Sequence, residues 1–190
     1  AVTYDRAGSS IAVTPAADYD WATILKNASR FHVTGITLAI SQHAAEAALA
    51  GAKAAHERGI PVSCDLNFRK KLWNWEPGTK PAALARRVME QLLQYVTLLV
   101  ANEEDAEQVL GIHAANTSVE SGEIDATAYI GVAKQIVDKF PTVQQVAITL
   151  RESISASHNN WGAMLYQRDG GQSFFAPTNA EGQYEPFEIR

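Results

Sequence analysis

Residues 60–73 read IPVSCDLNFRKKLW, and the fold of the chain is read outward from this stretch. Ile60 to Cys64 forms a short apolar run of the kind a buried strand needs. Asp65, Asn67 and Arg69 then follow at alternate positions. Alternate side chains of an extended segment share one side, so a carboxylate, an amide and a guanidinium would emerge together where the strand ends. Such a set either closes a turn or faces a ligand.

The same strand-then-helix pattern recurs on both sides. Upstream, Thr14-Pro15 reads as a cap and first helical residue, with Trp21, Ile24, Leu25 and Ala28 at helical spacing behind it. RFHVTGI, 30–36, reads as a strand ending near Gly35. Ser41 is placed to cap an alanine-rich helix that Gly59 terminates. Downstream, PGTKP at 77–81 breaks the chain before a helix from about Ala82 to Gln94. YVTLLVA, 95–101, is an apolar strand of the fully buried type. Asn102 and Gly111 bracket a short helix, and the polar loop HAANTSVESGEID follows at 113–125. A helix from Ala128 to Lys139 precedes the strand VQQVAITL, 143–150. Residues 161–176 then read as a β-hairpin turning at Asp169-Gly170-Gly171. This alternation predicts an α/β fold: a mostly parallel sheet covered by helices, with a late β-hairpin. Both ends read as cut through strands, the second within YEPFEIR, 184–190.

Composition narrows the function classes. The 190 residues suffice for one domain, and 46% hydrophobic against 19% charged content is ordinary for a globular protein. No apolar run approaches the roughly 20 residues of a membrane helix, and AVTYDRAGSS at the start has no signal-peptide pattern. Cys64 is the sole cysteine, which fits a buried thiol in a reducing cytoplasm. A net charge of −5 without massed basic residues argues against nucleic-acid binding, and neither a membrane partner nor a zinc pattern is expected. No P-loop, Gly-x-Gly-x-x-Gly or Gly-x-Ser-x-Gly occurs.

Ligands of open α/β sheets bind beyond the carboxyl ends of the strands. Three polar clusters fall at such ends: Asp65, Asn67 and Arg69; Asn102 to Asp105; Thr149 and Arg151. Asn102 and Asp105 have two readings. They suit a capping box, and a carboxylate there also suits Mg²⁺ held through water. Tyr4 and Arg6 alternate and would share a face of an extended segment, where the guanidinium suits a carboxylate or phosphate. His32 reads as a hydrogen-bonded strand histidine, and Trp73 and Trp75 as a packed loop or a pocket wall.

Taken in order, YDRAGS at 4–9, FHVTGITLAIS at 31–41, VSCDLNFRKKLW at 62–73, NEEDAEQVLG at 102–111 and VAITLRES at 146–153 resemble the ribokinase-like (PfkB-type) carbohydrate kinases, most closely the 2-keto-3-deoxygluconate kinase branch. The resemblance spans nearly the whole chain. It implies that residues 1–190 are a partial ribokinase-like kinase domain, without the first strands and lid. The parent would move the γ-phosphoryl group of ATP to 2-keto-3-deoxygluconate or a similar sugar, with Mg²⁺ as cofactor. Tyr4, Arg6, Asp65, Asn67 and Arg69 match substrate-binding positions, Asn102 and Asp105 the phosphate- and Mg²⁺-associated ones, and Thr149 and Arg151 the start of the nucleotide site. Homo-oligomerisation through the lid is a further implication.

Two departures stand out. Asp105 occupies a position where the family has glutamate, and the Gly-x-Gly-Asp motif that brings the base aspartate is absent from these 190 residues. The fragment alone is therefore expected to be inactive. A non-catalytic sugar-acid-binding remnant and another sugar kinase of the family, such as a fructokinase, are the alternative readings.

Overall fold

The computed structural model describes residues 6–113, 128–155 and 157–189. Seven strands form one sheet: β1 (Phe31–Thr34), β2 (Val62–Asp65), β3 (Leu98–Asn102), β4 (Gln145–Ser153), β5 (Asn159–Gln167), β6 (Ser173–Ala176) and β7 (Phe187–Ile189). The first six lie in sequence order across the sheet, and β7 pairs with β5. Strands β1 to β4 run parallel, and every pairing of β5 is antiparallel. The helices are α1 (Ser10–Val13), α2 (Trp21–Ile24), α3 (Gly35–Ile40), α4 (Gln42–Glu57), α5 (Pro81–Leu93), α6 (Glu103–Asp105) and α7 (Ala128–Lys139). None among the described residues is long and apolar enough to cross a membrane.

Local chemistry explains the long helices. The Ser41 hydroxyl accepts the Ala44 amide at 3.1 Å and donates to the Ala12 carbonyl at 2.7 Å, so one side chain starts α4 and ties α1 to it. The buried side of α4 is alanine and glycine, including Ala44, Ala48, Ala52 and Ala55. Gly59 ends the run at a φ of 70°. Helix α5 starts with Pro81 and buries Leu84, Val88 and Leu92 at i, i+4 and i+8. Helix α7 buries Val132, Ala133, Ile136 and Val137. The hairpin turns as expected at Asp169–Gly171, where Gly170 and Gly171 take φ of 73° and 60°.

The two faces of the sheet differ. Val33, Cys64, Leu99, Val146 and Tyr166 lie opposite one another across five strands and are all buried against the helices. The neighbouring row, Thr34, Asp65, Val100, Ala147, Leu165 and Phe174, points the other way and is half-buried or exposed throughout. The fully buried reading of β3 therefore holds for Leu99 and Ala101 and not for Leu98 and Val100. Cys64 is buried, as expected, and burial drives its thiol well above the usual range.

Two boundaries differ from the sequence reading. Pro15 does not open a long helix; it precedes a 3₁₀ turn at Ala16–Asp18, and Asp20 caps the separate α2 through the Thr23 amide and hydroxyl at 3.2 and 2.6 Å. Strand β1 ends at Thr34, near Gly35 as expected, and Gly35 opens α3. Strand β4 does not stop at Leu150, before Arg151. It continues to Ser153 because β5 pairs with it over nine register positions, so Thr149 and Arg151 both lie inside the strand.

Gly35 has no room for a side chain: a Cβ there would overlap the Leu66 carbonyl at the exit of β2. Gly131, on the exposed side of α7, has nothing within 4 Å of that position. Gly35→Ala is thus expected to destabilise the protein by about 1–3 kcal/mol through overpacking. Gly131→Ala should stabilise it by about 0.5–1 kcal/mol, because glycine is costly inside a helix. Thermal denaturation of the two variants side by side checks both signs.

Candidate functional site

The site begins where β1 and β2 end. Thr34 lies opposite Asp65, and its hydroxyl accepts the Ile36 amide at 3.4 Å, capping α3. The same hydroxyl accepts from the Asn67 side-chain amide at 3.4 Å, so the exits of β1 and β2 are joined through Thr34. Asn67 has a φ of 37°, the only positive value at a non-glycine position among the described residues. Asparagine tolerates that left-handed conformation better than most side chains. The ladder of β2 stops at Asp65, yet burial keeps alternating from Val62 to Phe68. Asp65 and Asn67 are half-buried and Arg69 is exposed, while Leu66 and Phe68 turn inward. The alternation read from the sequence therefore survives in side-chain placement, although the segment is not extended at Asn67.

Next in order is the exit of β3. The Asn102 side-chain oxygen accepts the Asp105 amide at 2.7 Å, which starts α6 and the π-helical turn Ala106–Leu110 behind it. Asp105 does more than cap. Its carboxylate accepts the Phe68 amide at 3.0 Å, linking the exit of β3 to that of β2. At 5% exposure it is the one buried polar or charged residue among those described. Gly111, at a φ of 67°, ends the turn as expected.

Two carboxyls and one guanidinium share this region. Burial pushes Asp105 above the usual carboxylate range, and the nearby Asp65 charge adds to the rise. The Phe68 and Asn102 amides and Arg69 pull against it. Asp65 is also raised, mainly by burial, against the Asn67 amide, His32 and Arg69. Arg69 therefore acts electrostatically on both acids, which the alternation alone gave for Asp65 only. No group of three or more His, Cys, Asp or Glu side chains among the described residues forms a metal cage. The acidic pair still suits a divalent cation that keeps its waters, since a cation would offset the burial of two negative charges.

The other expected residues spread outward. Thr149 pairs with Asn102 across β3 and β4 and is exposed on the same sheet face as Asp65. Arg151 stands two residues further along β4, past the end of β3. Its guanidinium donates twice to the Asn159 side-chain oxygen, at 3.1 and 3.0 Å, and lies 5.3 Å from the Trp161 ring centre. The Arg6 carbonyl accepts from the Ser9 amide and hydroxyl at 3.1 and 2.7 Å, forming a turn into α1 instead of an extended strand. Tyr4 lies outside the described residues. His32 is exposed and its Nδ1 is 2.9 Å from the Ser63 hydroxyl, a strand histidine as expected. Trp73 is buried, and Trp75 Nε1 donates to the Leu38 carbonyl at 3.1 Å, so this pair belongs to a packed loop.

Sequence reasoning missed Thr34 as the shared acceptor and the Phe68 amide as the donor to Asp105. The Thr34-Gly35 pair at a strand end carried a usable signal, because a glycine there marks a close backbone approach. A backbone amide leaves no such mark in a sequence.

Together these features define a ribokinase-like α/β protein with a polar site at the carboxyl edge of its parallel strands. Residues 2–150 match the pfkB family of carbohydrate kinases, and the chain belongs to that family. It is similar to the crystal structure of 2-dehydro-3-deoxygluconokinase from Thermotoga maritima, with 39% identity and a TM-score of 0.78 over 100% of this chain and 50% of that one. A pfkB family carbohydrate kinase from Listeria grayi has 30% identity and a TM-score of 0.74, with the same coverage of 100% and 50%. A 2-dehydro-3-deoxygalactonokinase from Haloferax volcanii is 37% identical over 109 residues, 57% of this chain and 32% of that protein. The chain thus spans about half the length of the solved relatives and a third of the Haloferax one.

The raised acids give a sign for pH dependence. A folded carboxyl above its unfolded value binds its proton more tightly when folded, so its contribution is best at low pH and is lost as pH rises through the folded value. Asp105→Asn keeps an acceptor for Phe68 without the charge. It should leave neutral-pH stability unchanged or higher and flatten the decline above the usual carboxylate range. Asp105→Ala strands the Phe68 amide and should cost about 1–3 kcal/mol. Urea unfolding from pH 4 to 8 reads both; equal losses in the two variants would refute the Phe68 bond as the main role of Asp105.

Proposed function

We propose that this chain is the part of a cytoplasmic sugar-acid kinase that binds and positions its substrates, acting on 2-keto-3-deoxygluconate or its galactonate epimer. The observation that carries the reading is the hydrogen bond from the Phe68 amide to Asp105, which ties the segment bearing Asp65, Asn67 and Arg69 to the Asn102–Asp105 cap at the next strand exit, in a member of the pfkB family. The names of the Thermotoga and Haloferax relatives support the substrate class.

A sugar acid presents hydroxyls and one carboxylate. Asp65 and Asn67 offer an acceptor and an amide to hydroxyls, and Arg69 offers a guanidinium to the carboxylate or phosphate. Tyr4 and Arg6 are assigned to the same acid. Thr149 and Arg151 are assigned to the nucleotide, where Arg151 would have to share its guanidinium with Asn159. Asn102 and Asp105 would serve Mg²⁺ through water; the ion would neutralise phosphate charge. In the transfer, a sugar hydroxyl oxygen bonds to the γ-phosphorus of ATP as the bond to the bridging oxygen breaks. ADP leaves and the hydroxyl proton passes to a base. These residues supply orientation and charge balance. The sequence has no Gly-x-Gly-Asp to supply the base, so binding without turnover is the expected behaviour of the 190 residues.

Calorimetric titration with 2-keto-3-deoxygluconate tests this. Binding should be measurable, and Arg69→Ala should weaken it by about 1.5–3 kcal/mol, the usual worth of a hydrogen bond to a charged group, without altering the thermal midpoint. Undiminished affinity in Arg69→Ala would remove the role assigned to that residue. ADP release dependent on the sugar acid, from the 190 residues alone, would overturn their assignment as a binding and positioning part.

A further inference from the structure

The sequence has one run of three consecutive basic residues, Arg69-Lys70-Lys71, in a chain of net charge −5. The run forms a turn at the exit of β2. The Leu72 amide donates to the Arg69 carbonyl at 2.8 Å, which leaves Lys70 and Lys71 as the two central residues. Buried aromatics anchor both sides: Phe68 before the turn is 9% exposed and Trp73 after it 1%. The Phe68 amide is held by Asp105, and the Asn74 side-chain amide donates to the Lys71 carbonyl at 3.4 Å. All three basic side chains are nevertheless exposed. Neither ammonium has an ion-pair or hydrogen-bond partner among the described residues, whereas Lys53, Lys134 and Lys139 each face a carboxylate. Adjacent like charges repel one another, and a turn fixed at both ends keeps them together.

The arginines at this edge already have claims on them. Arg69 acts on both Asp65 and Asp105, and the Arg151 guanidinium donates twice to Asn159. Lys70 and Lys71 are uncommitted, and they follow directly on the segment that bears Asp65, Asn67 and Arg69. A lysine ammonium is a hydrated point charge with rotatable donors on a flexible stem, which suits the many oxygens of a phosphate chain. One sugar carboxylate gives two such charges little to do. We propose that Lys70 and Lys71 capture the triphosphate chain of the nucleotide at the exit of β2 and hold it beside Arg69. The inference rests on the kinase reading of this site and adds two phosphate-binding residues to it.

The test is calorimetric titration of the 190-residue protein with inorganic tripolyphosphate, at low and at physiological ionic strength. Wild type should bind it, with an affinity that falls as salt screens the charges. Lys70→Gln/Lys71→Gln should weaken binding by about tenfold at low salt and remove most of the salt dependence, without lowering the thermal midpoint. ATP should follow tripolyphosphate, while affinity for 2-keto-3-deoxygluconate should change by no more than about twofold. Lys26→Gln/Lys53→Gln removes the same two charges from exposed positions elsewhere and should bind tripolyphosphate as wild type does. Wild-type affinity in Lys70→Gln/Lys71→Gln would overturn the proposal. So would an equal loss in the two double variants, which would assign the effect to net charge, or an equal loss for the sugar acid and tripolyphosphate. If wild type binds the sugar acid and no tripolyphosphate, the proposal falls and the sugar-acid reading stands. Lysine-dependent tripolyphosphate binding without sugar-acid binding would count against that reading alone.

Discussion

A single buried carboxylate holds the candidate site together. Asp105 accepts the Phe68 amide with its carboxylate and donates its own amide to Asn102, so the exits of β2 and β3 are joined through one residue. It adds to the Leu66 amide on the Val100 carbonyl and to Asn67 on Thr34 in fixing the residues from Leu66 to Arg69 above the sheet. Thr34 performs the matching service between β1 and β2. Three consecutive strand exits are thereby joined by side chains rather than by the ladder alone. The cost is electrostatic: Asp105 is buried near Asp65 and offset by backbone amides and Arg69. A carboxylate committed to the backbone is also less free to approach a cation directly, which fits a contact through water better than direct ligation.

The sheet divides labour between its faces and its ends. One face builds the core from Val, Leu, Ile and Met side chains beneath the alanine-rich α4 and the larger apolar faces of α5 and α7. The carboxyl ends of the parallel strands collect the polar groups, as open α/β sheets do. The antiparallel β4–β5 ladder then carries Arg151 beyond the last parallel pairing, so that guanidinium stands apart from Arg69.

Most of the architecture was legible because it is written in periodicity. The apolar runs located every parallel strand, Ser41 and Gly59 bounded α4, and the Asp-Gly-Gly turn located the hairpin. The misreadings share a cause, competition among neighbouring caps and pairings. Asp20 outbids Thr14 for the cap of α2, and β5 draws β4 past the residue at which a parallel strand would have stopped. In the site, residue types were readable and connections were not. Asp65, Asn67, Asn102 and Asp105 stand out as polar groups after apolar runs, whereas the bonds from Phe68 to Asp105 and from Asn67 to Thr34 join positions more than 30 residues apart. At Asp105 the structure shows the cap, with Asn102 accepting its amide, while the cation role is a proposal.

Asn67 meets two unrelated demands at once. Its backbone takes a conformation that few side chains accept, and its amide donates to Thr34. Glycine satisfies the first demand and has nothing to donate; an ionised aspartate can only accept. Position 67 is therefore tied to position 34 by a side-chain hydrogen bond. A lineage that altered one would carry a defect until the other changed, so this strand exit should drift by coupled steps while the helix surfaces around it vary one residue at a time.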